Sequence, residues 1–380
     1  MSMPWRDAMH RALYGPGGFF VSGAGPAAHF RTSVHASPVF AGALLRLIHR
    51  LDTTLGFPEP FEVVDVGAGR GELLRALSAA ASTSPAAGDA SSGSARASGA
   101  APVPLAQRVR FTAVELAPRP DDLPEQITWA DQIPAGITGL LIATEWLDNV
   151  PLDVAVHTPD GWHYRLVDPT SGEETTGGPV SQEDADWLTT WWPLPLTLPT
   201  DDPPNPETPT DDPLDPAIRA EIGRTRDEAW ADAVGHVDRG LALAVDYGHL
   251  REHRPVHGSL TGYRGGRQVP PVPDGSGDVT AHVAMDSAAS AGERVARCAY
   301  SLGSQREGLR ALGADGGRPP LSLAARDPAG YLRALAEAST AAELTDPAGL
   351  GGHWWLWQPV GLPADRLPLA QSRPTSADRW

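Results

Sequence analysis

The stretch EVVDVGAGRGELL, residues 62–74, decides the fold. The apolar run 62–66 predicts a buried β-strand, and residues 72–77 open a helix. Between them, the glycine-rich segment 67–71 predicts a tight turn that leaves bare backbone at the carboxyl end of the strand. Ligands of open α/β folds bind at this edge of the sheet, so the stretch predicts a nucleotide-cofactor site.

Three further apolar runs predict neighbouring strands, at residues 109–114, 139–143 and 240–246. Near-continuous apolar runs of this length are typical of strands that are buried on both faces, as in a parallel sheet covered by helices. A helix is predicted over 39–51, because its apolar residues recur at helical spacing after a Ser-Pro start signal. The predicted fold class is α/β, with a Rossmann-like doubly wound sheet.

Two segments interrupt this pattern in a chain whose 380 residues suffice for about two domains. Residues 78–107 are small and polar, and residues 200–216 hold six acids and six prolines, so both are predicted to be flexible surface loops. Together with a Pro-rich tail, they divide the chain into predicted segments: an N-terminal helical segment over 1–60, a core over 61–159 and 236–254, a cap or substrate lobe with sheet completion over 160–235 and 255–359, and a tail over 360–380.

Composition excludes several classes of protein. The net charge of −17 disfavours binding to nucleic acid or to an anionic lipid surface. The single cysteine, Cys298, forms no intramolecular bridge and excludes a cysteine-ligated zinc site, and no metal is expected. Because no apolar run is long enough to span a bilayer and the first residues lack an apolar signal core, we expect a soluble, cytoplasmic protein.

The glycine spacing indicates which cofactor to expect. The turn reads G-x-G-x-G, and Glu72 stands where the dinucleotide fingerprint requires a third glycine for close packing around a pyrophosphate. S-adenosylmethionine carries no phosphate, so its amino-acid moiety and ribose suit this shorter turn better. An NAD(P)-dependent oxidoreductase is therefore the least favoured interpretation.

Acidic residues after the next two predicted strands extend the expected cofactor site. Glu115 ends the strand 109–114, and without the insertion it lies close to the sequence distance expected of the acid that binds ribose hydroxyls. Asp131 follows one strand later and is a candidate contact for the adenine amino group, although a solvated turn acid is an equally good interpretation.

Two acids follow the strand 139–143 and are candidate catalytic residues. Glu145 and Asp148 are well placed to orient a substrate, because methyl transfer from a sulfonium depends mainly on positioning the nucleophile. Carboxylates suit a cationic nucleophile such as a guanidinium, which they bind by paired hydrogen bonds. A capping role is the alternative interpretation of Asp148.

Further candidates follow the strand 240–246. Asp246 and His249 are each a candidate base, although Asp246 could equally cap the next element. The segment 277–283 could bring another acid and the imidazole of His282 toward the same cleft. Two tryptophan clusters, one around 187–192 and one around 354–357, are more simply explained by packing than by an aromatic substrate surface.

Motifs in a fixed order along most of the chain resemble those of the MidA-like methyltransferase family, whose mitochondrial relatives help to assemble respiratory complex I by dimethylating an arginine. The matching motifs are YGPGGFF at 14–20, FRTS at 30–33, SPVF at 37–40, the glycine turn 67–71, Glu115, E-x-L-D-x-x-P at 145–151, DYGH at 246–249, GSL-x-x-YR at 258–264, DVTAHV at 278–283 and Q-x-x-x-L-x-x-LG at 305–313.

The resemblance implies a Rossmann-like class I methyltransferase core with an added lobe, using S-adenosylmethionine. Glu145, Asp148 and Asp246 would face the substrate, with His282 as a further catalytic candidate, and a basic, arginine-bearing protein would be the methyl acceptor. The implied cofactor contacts are Thr32, Ser33, Asp65, Gly67, Ala68, Gly69, Gly71, Glu115, Leu116, Asp131 and Glu145.

The chain departs from the family pattern around this expected site. His35 and Ala284 stand where the family commonly has acids, Thr144 replaces an asparagine, and Asn149 replaces a small residue. These departures leave two alternatives to a protein arginine methyltransferase. One is a cofactor-binding assembly factor that has lost catalysis, and the other is a methyltransferase for a small natural product.

Overall fold

The computed structural model describes residues 1–22, 38–83, 102–194 and 218–362. Its strands, numbered in chain order, are β1 Met3–Pro4, β2 Phe61–Val66, β3 Val109–Val114, β4 Ile127–Ala130, β5 Ile137–Thr144, β6 Asp153–Thr158, β7 Gly161–Val167, β8 Glu174–Pro179, β9 Arg219–Ile222, β10 Val237–Asp246, β11 Gly248–His249, β12 Thr261–Arg264, β13 Arg267–Val269, β14 Asp278–Thr280, β15 Val283–Ala284, β16 Ser301–Ser304 and β17 Trp354–Val360.

Helices alternate with these strands. They are α1 Trp5–Tyr14, α2 Phe19–Ser22, α3 Pro38–Leu55, α4 Glu72–Thr83, α5 Leu105–Arg108, α6 Gln182–Trp191, α7 Arg224–Gly235, α8 Met285–Ala296, α9 Gln305–Ala311, α10 Leu321–Arg326 and α11 Pro328–Leu344, with short 3-10 turns at Leu147–Asn149, Arg251–His253 and Leu350–Gly352. No helix in the described ranges is long and apolar enough to cross a membrane.

The described residues form two compact units. We call residues 38–83, 102–147, 229–247 and 289–362 the sheet unit, and residues 1–22, 148–194, 218–228 and 248–288 the lobe unit. These limits do not coincide with the predicted segment boundaries at 60, 159 and 254. In particular, the N-terminal residues 1–22 group with the lobe unit, where β1 pairs with β7.

The sheet unit is built on a seven-stranded sheet in the order β16-β17-β10-β5-β2-β3-β4. The five strands from β10 to β4 are parallel, as the apolar runs predict, and β17 is antiparallel to both β10 and β16. Parallel strands bring their carboxyl ends to one edge. The ends of β2, β3, β5 and β10, with the residues that follow them, therefore meet at the same edge of the sheet.

The core of this unit explains why the central strands read as unbroken apolar runs. Leu140 and Ile142 of β5 pack in one cluster with α3, α4 and the corresponding residues of β2 and β10. Leu141 and Ala143, which alternate with them, are equally buried on the opposite face. Burying one such leucine contributes about 1.5–3 kcal/mol, so the covered sheet forms a rigid base for the loops at its edge.

The predicted insertion 78–107 is shorter than expected. Helix α4 continues to Thr83, and α5 begins at Leu105. The helix continues because its apolar face still reaches the core through Ala81, which is buried. The remainder of the insertion, 84–101, lies outside the described residues, as do the predicted loop 200–216 and the tail beyond residue 362.

The lobe unit holds an antiparallel sheet in which β7 pairs with β1, β6 and β8, and β9 extends it on β6. Trp187 and Trp192 of the first tryptophan cluster are buried in its core beside β9. Trp355 and Trp357 of the second cluster lie in β17 and are buried in the core of the sheet unit. These four tryptophans therefore serve packing.

Candidate cofactor and substrate sites

The glycine turn after β2 adopts the backbone conformation that the sequence requires. Gly67, Gly69 and Gly71 have φ angles of +72°, +58° and +79°, a region that favours glycine. The amides of Gly67 and Ala68 donate to the carbonyl of Val114 at 3.0 and 3.2 Å. These bonds fix the turn against the end of β3, so its position at the sheet edge is set by the strands on either side.

The three glycines differ in what a side chain would meet. A Cβ on Gly67 would lie 2.7 Å from the Trp146 ring, and one on Gly71 would lie 2.7 Å from the Leu123 side chain. Among the residues that the structure describes, a Cβ on Gly69 would have only the Glu72 carboxylate within 4 Å, at 3.5 Å. Packing within the protein therefore explains Gly67 and Gly71. At Gly69 the described residues leave the space open, as expected where a ligand lies against bare backbone.

Glu115 lies directly beside this open position. Its carboxylate accepts from the backbone amide of Gly69 at 3.0 Å and from those of Leu116 and Ala117 at 2.7 and 3.2 Å. These bonds orient the two carboxylate oxygens, which retain lone pairs for further donors such as ribose hydroxyls. Burial raises the pKa of Glu115, and the amide bonds oppose that shift.

Three acidic side chains surround the turn. Asp65 is buried at the end of β2, and one of its carboxylate oxygens, Oδ1, has no hydrogen-bond partner among the described residues. Burial raises the pKa of Asp65 well above its usual range, and the charges of Glu72 and Glu115 raise it further. The charges of Glu72 and Glu115 would repel a pyrophosphate but favour a ligand that carries an ammonium and a sulfonium. These acidic side chains therefore fit S-adenosylmethionine better than a dinucleotide.

Two other expected cofactor contacts lie on the same edge. Leu116 follows Glu115 and is 61% exposed, so its side chain offers apolar surface beside Glu115. Asp131 is exposed directly after β4, the edge strand beside β3. Thr32 and Ser33 lie outside the described residues, as does His35.

Glu145 has a strained backbone conformation. It follows the last residue of β5 with a φ of +52°, which is unfavourable for any residue other than glycine, and its amide donates to the carbonyl of Val245 at 2.8 Å. The bond holds the strained residue to the end of the neighbouring strand. Strain of this kind is typical of positions where a side chain is aimed for function.

Asp246 connects two strand ends. It is buried, and its carboxylate accepts from the amide of Leu147 and from that of Tyr247, both at 3.0 Å. The first bond fixes the segment that follows β5, so Asp246 orders the loop carrying Glu145. The capping interpretation of Asp246 is therefore supported by two hydrogen bonds, and its role in catalysis stays a prediction.

Asp148 is the first residue of the lobe unit's 148–194 segment. Its carboxylate accepts from the Thr280 hydroxyl at 2.8 Å and from the Asn149 amide at 3.0 Å. The Arg226 side chain is buried and donates to the backbone carbonyls of Asp148 and Val150, and also to those of the segment 281–282. Arg226 thereby clamps the Asp148 turn against the chain that follows β14.

Asp278 is a buried acid in the same place. Burial raises its pKa to about 8, and the charge of Asp148 contributes to the shift. Its Oδ1 has no hydrogen-bond partner among the described residues. The sequence places Asp278 in the motif 278–283, but His282 was the candidate named from that motif. The signal that could have identified Asp278 is the alternation of β14, which puts Asp278 and Thr280 on one face of the strand.

The two histidines differ in what they can do. The imidazole of His282 is exposed. His249 is buried, and its Nδ1 faces the Arg254 guanidinium at 2.8 Å. Because a guanidinium only donates, Nδ1 accepts and carries no proton. Burial and the Arg254 charge lower the pKa of His249 to about 3, so His249 is a neutral group whose accepting nitrogen is already used.

The sequence-predicted site residues thus fall into two groups. One group lies along the carboxyl edge of the sheet unit and consists of Gly67–Gly71, Glu115, Leu116, Asp131, Glu145 and Asp246. Asp65 lies one residue before the end of β2 in the same sheet. Asp148 and His282 belong to the lobe unit and are joined through Arg226, which the sequence did not mark because a single arginine in a helix carries no sign of its burial. No group of three or more His, Cys, Asp or Glu in the described ranges is arranged to hold a metal ion.

Comparisons with known proteins identify the family and the fold. A family model described as "Putative S-adenosyl-L-methionine-dependent methyltransferase" matches residues 41–302, more than two thirds of the chain. No curated protein sequence matches. A crystal structure of a COG1565 superfamily member from Burkholderia thailandensis bound to S-adenosyl-homocysteine is 21% identical, with a TM-score of 0.71, and the match covers 98% of this chain and 91% of that one.

A native crystal structure of a COG1565 superfamily protein from the same organism is also 21% identical, with a TM-score of 0.69 and the same coverage. At this identity the two structures establish the fold, a Rossmann-like sheet with an added lobe. The family match establishes the cofactor chemistry. The chain therefore belongs to the S-adenosyl-L-methionine-dependent methyltransferase family that its motifs resemble.

Proposed function

We propose that this methyltransferase transfers its methyl group to a protein side chain, and that the side chain is a cationic one, arginine. The observation that carries the proposal is the pair of carboxylates at the ends of neighbouring strands, Glu145 after β5 and Asp246 in β10. Both lie at the same sheet edge as the open backbone of Gly69. A guanidinium offers paired donors that carboxylates in this setting can orient.

The charge of the whole chain supports the same class of acceptor. With a net charge of −17, the protein attracts basic polypeptides and repels nucleic acid, so a basic protein segment is favoured at the stage of encounter. A small neutral metabolite would gain nothing from this field. The charge therefore favours a protein acceptor over a small natural product.

For the cofactor, we propose that the turn and the acids beside it are the binding residues. Gly69 would contact the methionine moiety, and Glu115 would accept from the ribose hydroxyls. Leu116 would cover the adenine ring, with Asp131 near its amino group. The full proposed set is Thr32, Ser33, Asp65, Gly67, Ala68, Gly69, Gly71, Glu115, Leu116, Asp131 and Glu145.

S-adenosyl-L-methionine, when bound, supplies an electrophilic methyl group on a positively charged sulfur. The residues of the chain would then bind and orient the acceptor. The Glu145 carboxylate would hold the guanidinium by hydrogen bonds, and it is the proposed acceptor of the proton that the methylated nitrogen loses. Asp246 would keep this arrangement in place through its bond to the Leu147 amide.

We further propose that the lobe unit selects the acceptor. The lobe-unit residues proposed to contact the acceptor are Asp148, which directly follows Leu147 in the chain, and His282, whose imidazole is exposed. The predicted division into a cofactor-binding core and a substrate lobe remains our interpretation of the two compact units.

The test is methyl transfer from tritiated S-adenosyl-L-methionine to proteins of a strain that lacks this gene, followed by amino-acid analysis of the labelled band. We expect methylarginine with the wild-type protein and none with Glu145→Gln, which should still bind the cofactor. Glu125→Gln, at an exposed position of the same unit, is the matched control and should be fully active.

Other outcomes would identify the alternatives. Label in a small molecule rather than in protein would contradict the proposal in favour of a natural-product methyltransferase. Cofactor binding without transfer to any acceptor would contradict it in favour of an assembly factor that has lost catalysis, the alternative that the departures at His35, Thr144 and Ala284 suggest.

A further inference from the structure

Asp278 is a buried carboxyl group with no role in the proposed reaction. It is only 6% exposed, and its Oδ1 has no hydrogen-bond partner within the described residues. Buried polar atoms almost always have a partner, because an unpaired one loses its bonds to water and gains none in return. An exception of this kind in a well-packed strand calls for a ligand or another functional reason.

The geometry of β14 places Asp278 beside a second carboxylate. Side chains two residues apart on a strand point to the same face, with their Cα atoms about 6.6–6.8 Å apart, so Asp278 and Thr280 lie on one face of β14. The Thr280 hydroxyl donates to the Asp148 carboxylate at 2.8 Å. Asp148 is thereby held next to Asp278, and its charge is one of the causes that raise the pKa of Asp278.

The surroundings keep this pair in a fixed arrangement. Val279, Thr280 and Ala281 are each at most 1% exposed, so β14 cannot shift without opening the core of the lobe unit. Arg226 donates to the carbonyls of Asp148 and of Ala281 and His282, which fixes the turn and the strand to each other. The two carboxyl groups are therefore preorganised, as a binding site requires.

A cation is the ligand chemistry that this arrangement selects. An unpaired carboxyl oxygen that lies beside another carboxylate in a buried place gains from a positively charged donor, because the cation supplies both the missing hydrogen bond and the missing counter-charge. A neutral donor of the same shape would supply only the hydrogen bond.

We propose that Asp148 and Asp278 form a receptor for a cationic group of the methyl acceptor, and that Asp278 is the residue that distinguishes a cation from a neutral group of the same shape. This inference rests on the proposed function, since it concerns the acceptor of the same reaction. It adds Asp278 as a specificity-determining residue for that reaction.

The experiment is calorimetric titration of the full chain, saturated with S-adenosyl-homocysteine, with three probes. N-acetyl-arginine amide carries a guanidinium, N-acetyl-lysine amide carries an ammonium, and N-acetyl-citrulline amide is a neutral analogue of the first. For the wild-type protein we expect the arginine probe to bind at least about tenfold more tightly than the citrulline probe, since a hydrogen bond to a charged group contributes about 1.5–3 kcal/mol. The lysine probe shows whether the receptor prefers a planar guanidinium to a point charge.

Two variants test the assignment. Asp278→Asn keeps the shape but cannot lose a proton when a cation binds, so it should fold and should bind the arginine and citrulline probes equally. Asp160→Asn removes one negative charge at an exposed turn between β6 and β7, and should keep the full preference. Unchanged affinity for S-adenosyl-homocysteine and an unchanged far-ultraviolet spectrum show that each variant is folded. Thr280→Val, which removes the hydroxyl bonded to Asp148, should weaken the preference in the same direction.

The outcomes separate this inference from the proposed function. Asp278→Asn with the preference for arginine intact, or a wild-type protein without that preference, would overturn the receptor, even if methylarginine is formed. A receptor that distinguishes arginine from citrulline while no arginine is ever methylated would support the binding site and overturn the proposed function.

Discussion

Replacing Asp278 by asparagine should stabilise the protein, and the gain should depend on pH. The folded protein raises the pKa of this carboxyl group from 3.8 to about 8. Below pH 4 the group is protonated in both the folded and the unfolded chain and has no effect. Between pH 4 and pH 8 the unfolded chain releases the proton while the folded protein retains it, so stability falls as pH rises; above pH 8 the full cost is present.

The magnitude follows from the shift. Each pKa unit corresponds to about 1.36 kcal/mol, so the cost of Asp278 above pH 8 is about 6 kcal/mol. An asparagine avoids the charge, and it leaves polar atoms unpaired much as the protonated aspartate does, so the two should differ by no more than about 1 kcal/mol when the aspartate is protonated. We therefore expect Asp278→Asn to be more stable than the wild-type protein by about 5–7 kcal/mol at pH 9, and equal to it within about 1 kcal/mol at pH 4.

Urea unfolding followed by tryptophan fluorescence, at several values between pH 4 and pH 9, measures this difference. Asp160→Asn is the control, because its exposed carboxyl group should change stability by less than about 0.5 kcal/mol throughout. A variant that is destabilised at pH 9, or a gain that is the same at every pH, would refute the assignment of Asp278 as a buried, uncompensated acid.

The remaining predictions concern the other site residues. Glu115→Gln should weaken binding of S-adenosyl-L-methionine by about tenfold or more in calorimetry, because charge-assisted hydrogen bonds are lost. Glu62→Gln is the control and should leave the cofactor affinity unchanged, because Glu62 lies at the opposite end of the sheet, where its carboxylate accepts from the Thr138 amide at 2.9 Å. Glu145→Gly should unfold at the same or higher urea concentration, because glycine relieves a positive φ that costs about 1–3 kcal/mol, yet it should not transfer methyl groups; retained transfer would reduce Glu145 to a structural residue. Arg226→Lys should destabilise the protein by about 3–5 kcal/mol in the same unfolding assay, since one ammonium cannot replace a buried guanidinium that binds four carbonyls, and a smaller loss would contradict the clamp.

The parallel part of the fold could be predicted from the sequence because its strands are apolar on both faces. The run 109–114 was predicted to the residue, and the run 139–143 lies within β5. Strand β17 was not predicted, since its tryptophans suggested an aromatic cluster. Its antiparallel pairing with β10 and β16 depends on partners far away in the chain, which local patterns do not reveal.

The positions of the glycine turn and of Glu115 were predictable for a similar reason. A glycine turn and an acid one strand later are local features of a parallel sheet, and both lie at the sheet edge that the pattern indicates. The surroundings of Asp278 and Arg226 were less predictable. Both residues owe their positions to burial and to contacts more than 50 residues apart in sequence, and no spacing in the chain records these contacts.

The central claim is that the turn at Gly69 holds S-adenosyl-L-methionine, and the most direct test is a calorimetric titration of two matched valine variants. Gly69 and Gly265 have φ angles of +58° and +57°, and no described residue lies closer than 3.5 Å to the position of a Cβ on either, so valine should strain both backbones to a similar extent. We predict that Gly265→Val binds the cofactor like the wild-type protein and that Gly69→Val does not bind it, although both are folded. Equal cofactor affinity in the two variants would contradict the site.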